Sequence, residues 1–193
     1  PTYPAGATNT TLFMADTLSA GLTLNPASVK VYMAASAAEI DDDHLLGSDA
    51  YTVSIEGQTL YVDYVYGELT PGQKLFVEYE ATLNEQAVIG GDGNPNEYTY
   101  TYSNNPFNGG THEHDDIPED DNAYGEVEDS ETVYTYGLYI YKTAGSETGT
   151  PLQGAKFELW AGSVGGTGKL IATLTTDANG YAAYNGLEKG IYI

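Results

Sequence analysis

The chain has no cysteine and no arginine, and only six lysines, two methionines and one tryptophan in 193 residues. Without thiols there is neither a disulfide nor a thiolate metal ligand. Stability must therefore come from the core, from a metal held by other ligands or from another kind of cross-link. Against those six cations stand 28 Asp and Glu, a formal charge of −22. Phosphate repulsion at that charge excludes nucleic acid and disfavours an anionic membrane surface. No apolar run of about 18 residues occurs, so no transmembrane helix is expected. Long helical repeats of Ala, Glu, Lys and Leu are missing too. With 18 Tyr and much Gly and Thr present instead, an all-β protein is expected.

No signal peptide or sorting signal is found. The chain opens on Pro1-Thr-Tyr-Pro4 and stops on Gly190-Ile-Tyr-Ile193, mid-strand by pattern, so a piece of a longer protein is expected. Alternation places strands at 10–18, at 29–33, in a hairpin of Tyr51–Ile55 with Leu60–Tyr64, along 75–83 and at 98–104. Residues Gly90–Asn96 read as a loop. From His112 to Glu131 there are ten acidic residues and no lysine, which reads as an exposed linker. Beyond it, short strands at Tyr134–Lys142, Ala155–Trp160, Leu170–Thr175 and Tyr181–Tyr184 suggest a second module. The expected organisation is two tandem immunoglobulin-like β-sandwiches, both incomplete: 1–110, an acidic linker at 111–132, and 133–193.

Three polar residues sit out of place. Asp16 shares a face with Leu12, Met14 and Leu18, where a carboxyl loses solvation. Asn104 shares a face with Tyr98, Tyr100 and Tyr102. Lys142 follows Leu138 and Ile140 by twos. Each has a plain alternative: a turn cap for Asp16, a strand exit for Asn104, and a lysine reaching out to water at a strand end. Read jointly, a neutral buried amine attacks a carboxamide polarised by a protonated acid, and ammonia leaves. The product is a Lys–Asn isopeptide bond formed once inside a folded core. No thiol could reduce it.

Asp41-Asp-Asp-His44, His112-Glu-His114-Asp-Asp116 and Glu119–Asp121 offer oxygen and imidazole ligands without EF-hand or zinc-finger spacing, so no metal is expected. The Gly162–Gly168 loop lacks the features of a phosphate cradle, and there is no nucleophile-elbow motif. Neither a cofactor nor an enzymatic activity is expected.

Several stretches carry a family resemblance. In the first module they are Tyr3-Pro-Ala-Gly-Ala-Thr-Asn9, Met14-Ala-Asp-Thr-Leu-Ser-Ala-Gly-Leu-Thr-Leu24, Gly93-Asn-Pro-Asn96 and Tyr102-Ser-Asn-Asn-Pro106. That module resembles the collagen-adhesin A-like (CnaA-type) domain of Gram-positive, sortase-assembled pilus backbone proteins. Residues 138–193 resemble a CnaB-type domain through Leu138–Lys142, Pro151-Leu-Gln-Gly-Ala-Lys-Phe-Glu-Leu-Trp160 and Thr176-Asp-Ala-Asn-Gly180. The resemblance implies a structural shaft subunit at the cell wall, linked by sortase to other pilins. It also implies Asp16 as the acid of the first bond, Asn104 as its acceptor, and Lys142 as the lysine of the second. The partners of Asn104 and Lys142 would lie outside this chain. The second expectation is a wall-anchored adhesin or a module binding sugars or host protein through its tyrosines. A glycosidase with paired carboxylates is the third.

Overall fold

The computed structural model describes residues 2–118, 123–162 and 168–193. Every regular element in it, apart from short 3-10 turns, is a strand. The chain divides into two compact units, Pro1–Gln86 with Asn94–Thr132, and Ala87–Gly93 with Val133–Ile193.

In the first unit, β1 (Leu12–Leu18) lies at the centre of a five-stranded sheet. It pairs antiparallel with β5 (Thr59–Tyr64) on one side and β8 (Asn94–Ser103) on the other. β4 (Tyr51–Glu56) and β9 (Tyr124–Val133) form the two edges. Two short pairs complete the unit: β2 (Leu22–Leu24) with β7 (Ala81–Leu83), and β3 (Lys30–Ala34) with β6 (Lys74–Glu78). Side chains of one parity meet in a core of Leu12, Met14, Val31, Leu60, Val62 and Tyr64. The expected hairpin is present: Glu56 pairs with Thr59, and Gly57 takes a left-handed φ of 61° that a side chain would resist.

Three expectations change. The loop read at Gly90–Asn96 gives way at Asn94, where β8 begins, because these residues pair with the late end of β1. The single strand at 75–83 is two strands, interrupted at Tyr79-Glu80, because its halves pair with different partners, β3 and β2. The linker at 111–132 is not a linker, since residues up to Thr132 belong to the first unit and Tyr124–Val133 forms edge strand β9. Low apolar content misleads there because an edge strand needs only backbone pairing and one covered face. Its acidic side chains stay in water and discourage pairing with another chain. Glu119–Asp121 and the interior of the Gly162–Gly168 loop lie outside the described residues.

In the second unit, β10 (Tyr136–Tyr141) pairs with β13 (Tyr181–Leu187), and β11 (Lys156–Ala161) with β12 (Lys169–Thr175). Leu159, Leu174 and Leu187 are buried. Thr176 is buried as well, and its hydroxyl donates to the Leu152 carbonyl at 2.6 Å while accepting from the Ala155 amide at 2.9 Å. Asp177 closes the turn into β13 by accepting the amides of Asn179 and Tyr181. Gly180 completes that turn at φ 78°, where a Cβ would sit 2.5 Å from the Lys142 carbonyl oxygen.

Candidate functional site

Asp16 faces the interior of the first unit, with only 5% of its surface exposed. The antiparallel register sets Asp16 opposite Tyr98 and Leu18 opposite Asn96. Side chains on directly opposed and diagonal positions of one face meet, so Asp16 and Asn96 are brought together. Tyr79 arrives from the break between β6 and β7. Its hydroxyl donates to Asp16 Oδ2 at 2.9 Å and accepts from Asn96 Nδ2 at 2.9 Å.

The other carboxylate oxygen, Asp16 Oδ1, and the carboxamide oxygen, Asn96 Oδ1, are buried with no hydrogen-bond partner. A buried acceptor left unmatched costs free energy, on the order of 1–3 kcal/mol. Burial raises the Asp16 carboxyl above its ordinary 3.8, and the hydrogen bonds from Tyr79 and the Asn96 carboxamide offset part of that rise. Burial also lifts the Tyr79 phenol, reinforced by the Asp16 charge. A proton on Asp16 turns an unmatched acceptor into a donor, beside a carboxamide oxygen that has none. Polarising that oxygen is what makes the Asn96 carbonyl carbon electrophilic.

Asn104 is not part of this site. It is exposed, lies in the turn after β8, and its amide donates to the Ala123 carbonyl at 2.7 Å. The strand run from Tyr98, opposite Asp16, to Asn104 is six residues, or roughly 20 Å at strand rise. Asn96 and Asn104 share one parity, and only the strand register distinguishes them. β8 runs antiparallel to β1, so its early end meets the late end of β1. Tyr79 follows Leu75 and Val77 by twos in the sequence, but nothing in the sequence aims it at Asp16.

Lys142 departs from expectation too. It has the parity of the half-buried Leu138 and Ile140, yet it is itself exposed. It lies just past the end of β10, where its backbone takes the amide of Leu152 and donates to Gly180. Its side chain borders an open hollow of about 440 Å³ with Tyr141, Thr143 and Glu147. Lys30 and Lys156 are exposed as well. Among the described residues no lysine stands within ion-pair distance of a carboxylate.

Each histidine of the acidic runs pairs with one carboxylate, locally for His44 and His112 and across to β5 for His114. His44 Nδ1 lies 2.7 Å from Asp41, His112 Nδ1 lies 3.3 Å from Asp116, and His114 Nδ1 lies 2.7 Å from Asp63. Among the described residues no three such side chains gather as a metal site would require.

Residues 137–193 match the SpaA prealbumin-like fold domain. Over its full length the chain is 33% identical, across 199 aligned residues, to the trypsin-resistant surface T6 protein of Streptococcus pyogenes serotype M6. The chain is a relative of Gram-positive pilus backbone proteins. It spans 35% of the length of that T6 protein. The solved T6 backbone pilin of serotype M6 superposes with a TM-score of 0.76 at 32% identity, covering 100% of this chain and 40% of the pilin. The fold alone is shared with the major pilin SpaA of Corynebacterium diphtheriae, at a TM-score of 0.62 and 19% identity, over 97% of this chain and 46% of that one. Domains D2 and D3 of the C. diphtheriae pilin SpaD show the same fold at 0.66 and 23%, over 97% of this chain and 65% of theirs. This pilin-related chain is thus all-β, with a prealbumin-like second unit.

Proposed function

We propose that the chain forms two successive modules in the shaft of a cell-surface pilus, and that an intramolecular isopeptide bond braces the first module in the intact protein. Asp16 is the acid of that bond and Asn96 its acceptor. The observation that carries this reading is the half-buried Asp16–Tyr79–Asn96 row, with Asp16 itself buried and two shielded oxygens unmatched. A lysine amine is the donor that would satisfy both oxygens and complete the reaction. No lysine of this chain is in contact with the pair among the described residues, so the amine comes from elsewhere in the longer protein.

In the step itself, the amine nitrogen attacks the Asn96 Cγ while Asp16 protonates the carboxamide oxygen. A proton then passes through Asp16 to the leaving nitrogen, and ammonia departs. Low polarity around the carboxyl and fixed proximity supply the rate. The solved relative SpaA is described as a modular pilus assembly with stabilising isopeptide bonds, which supports the same chemistry here. The partners implied are further pilin subunits, joined in the longer protein at the bacterial surface. The role is structural, and the bond is a single self-modification rather than turnover.

Intact-mass spectrometry of the longer protein tests the assignment. Each closed bond removes one ammonia, about 17 Da by the stoichiometry of amide formation. Asn96→Ala restores that mass and Asn104→Ala does not. The opposite pattern would return the acceptor role to Asn104.

One observation favours a second reading, in which the module binds sugars or host protein. Tyr139, Tyr141 and Tyr181 lie on one outer face of β10 and β13, 67%, 47% and 55% exposed, with Tyr141 and Tyr181 stacked at 4.5 Å. Loss of glycan-array binding on Tyr139→Ala and Tyr181→Ala would support it.

A further inference from the structure

On the opposite face of the first unit's large sheet, three residues stand in a row that the cross-link chemistry does not use. Asp63 on β5 accepts twice from His114: the backbone amide reaches Oδ1 at 2.7 Å, and Nδ1 lies 2.7 Å from Oδ2. A carboxylate has no proton to give, so His114 Nδ1 must carry the hydrogen. In the neutral ring that leaves the lone pair on Nε2. Nε2 lies 3.2 Å from Ser54 Oγ on β4, so the serine hydroxyl donates to it. The imidazole is held flat on Tyr61 at a centroid distance of 4.0 Å and is only 9% exposed. Phe13 closes its edge at 6.4 Å. Nucleophile, base and orienting acid are each in hydrogen-bond reach of the next.

The strand bearing Ser54 supplies the remaining feature. β4 is an edge of the sheet. The Val65 amide bonds the Ala50 carbonyl at 2.8 Å, which marks Ala50–Val65 as a hydrogen-bonded pair. Alternation from there makes Thr52–Asp63 and Ser54–Tyr61 bonded pairs too, and turns the N–H groups of Val53 and Ile55 toward the free edge. The amide of Ile55, directly after the serine, is thereby open to receive a developing oxyanion.

We propose that Ser54, activated by His114 and positioned by Asp63, is a nucleophilic serine that takes an acyl group from a carboxylic ester. Ser54 Oγ bonds to the ester carbonyl carbon as its proton passes to His114 Nε2. The ester C–O bond then breaks, the proton goes to the departing oxygen, and an alcohol leaves behind acyl-Ser54. A serine hydroxyl serving only to tie down the 107–118 segment would share the distances but not the reactivity.

The test uses the 193-residue chain with p-nitrophenyl acetate near neutral pH. Release of p-nitrophenol is expected together with a mass gain of about 42 Da on the peptide containing Ser54, the stoichiometry of acetyl for hydrogen. Ser54→Ala should abolish the gain at that peptide. Asp63→Asn and His114→Gln should slow it by at least about 100-fold, the contribution of a lost general base. Thermal melting shows which variants are folded, and the conservative Ser54→Ala keeps the test open should a His114 variant fail. A fluorophosphonate probe, read by the same peptide mass, should follow the same order. Acetyl groups scattered over other serines, tyrosines and lysines would overturn the proposal. So would Ser54 labelling that is indifferent to Asp63→Asn in a folded variant.

Discussion

Burial decides how Asp16 behaves. Because the folded chain holds its carboxyl proton more tightly than an unfolded chain would, the stability contributed by the protonated form is fully present below the ordinary carboxyl value of 3.8. It is lost as pH rises through the higher folded value, where a charge must be kept in a poorly solvated site. Asp16→Asn keeps an oxygen for Tyr79 and places an amide donor near Asn96 Oδ1 without any charge. The variant should therefore be more stable than the parent at about pH 7, with the advantage shrinking toward about pH 3. Urea unfolding at both pH values checks this, and an advantage equal at the two would show that charge burial is not its source. Asp16 was legible in the sequence because one strand's alternation is enough to turn it inward. Its link to Asn96 through Tyr79 was not, because the residue pattern puts Asn96 in a loop and only the register between β1 and β8, which neither strand encodes alone, carries it to the Asp16 face. Lys142 shows the limit of parity itself: alternation gives a face, and the position past the strand end decides the exposure.

At the scale of elements, alternation and turn chemistry were sufficient where one face is apolar. The hairpin of β4 and β5, the inward set of β1 and the four strands of the second unit all follow the residue pattern. Pattern failed at β9, whose acidic residues resemble those of a disordered tether. Glu126, Glu128 and Glu131 are exposed on β9, which among the described residues is an edge strand of its sheet. Charge on such an edge prevents pairing with a second copy. Replacing the three by Thr, a residue suited to strands, should leave the fold intact and promote association through this edge. Light scattering against concentration would show it as growing aggregates, absent from the parent. A variant that stays monomeric at matched concentration would mean that something other than charge protects the edge.

Over the whole molecule, the imbalance of 28 acidic groups against six lysines is the dominant electrostatic fact. Compaction brings those charges together, and no lysine among the described residues offsets a carboxylate by direct pairing. Self-repulsion therefore opposes folding, and mobile ions relieve it. The screening length falls from about 30 Å at about 0.01 M salt to about 8 Å at about 0.15 M, from the size of a small domain to the spacing of near neighbours. Added sodium chloride across that range should raise the urea midpoint with little change in the slope, because the surface exposed on unfolding is the same. Most of the gain should come below about 0.15 M, where the screening length shrinks fastest. A chain stabilised mainly by surface ion pairs would respond the other way, losing midpoint as salt weakens attraction. Following tyrosine fluorescence through urea titrations at several salt concentrations separates the two. A flat or falling midpoint would mean that the acidic groups lie too far apart on the folded surface to repel each other more than they do in the unfolded chain.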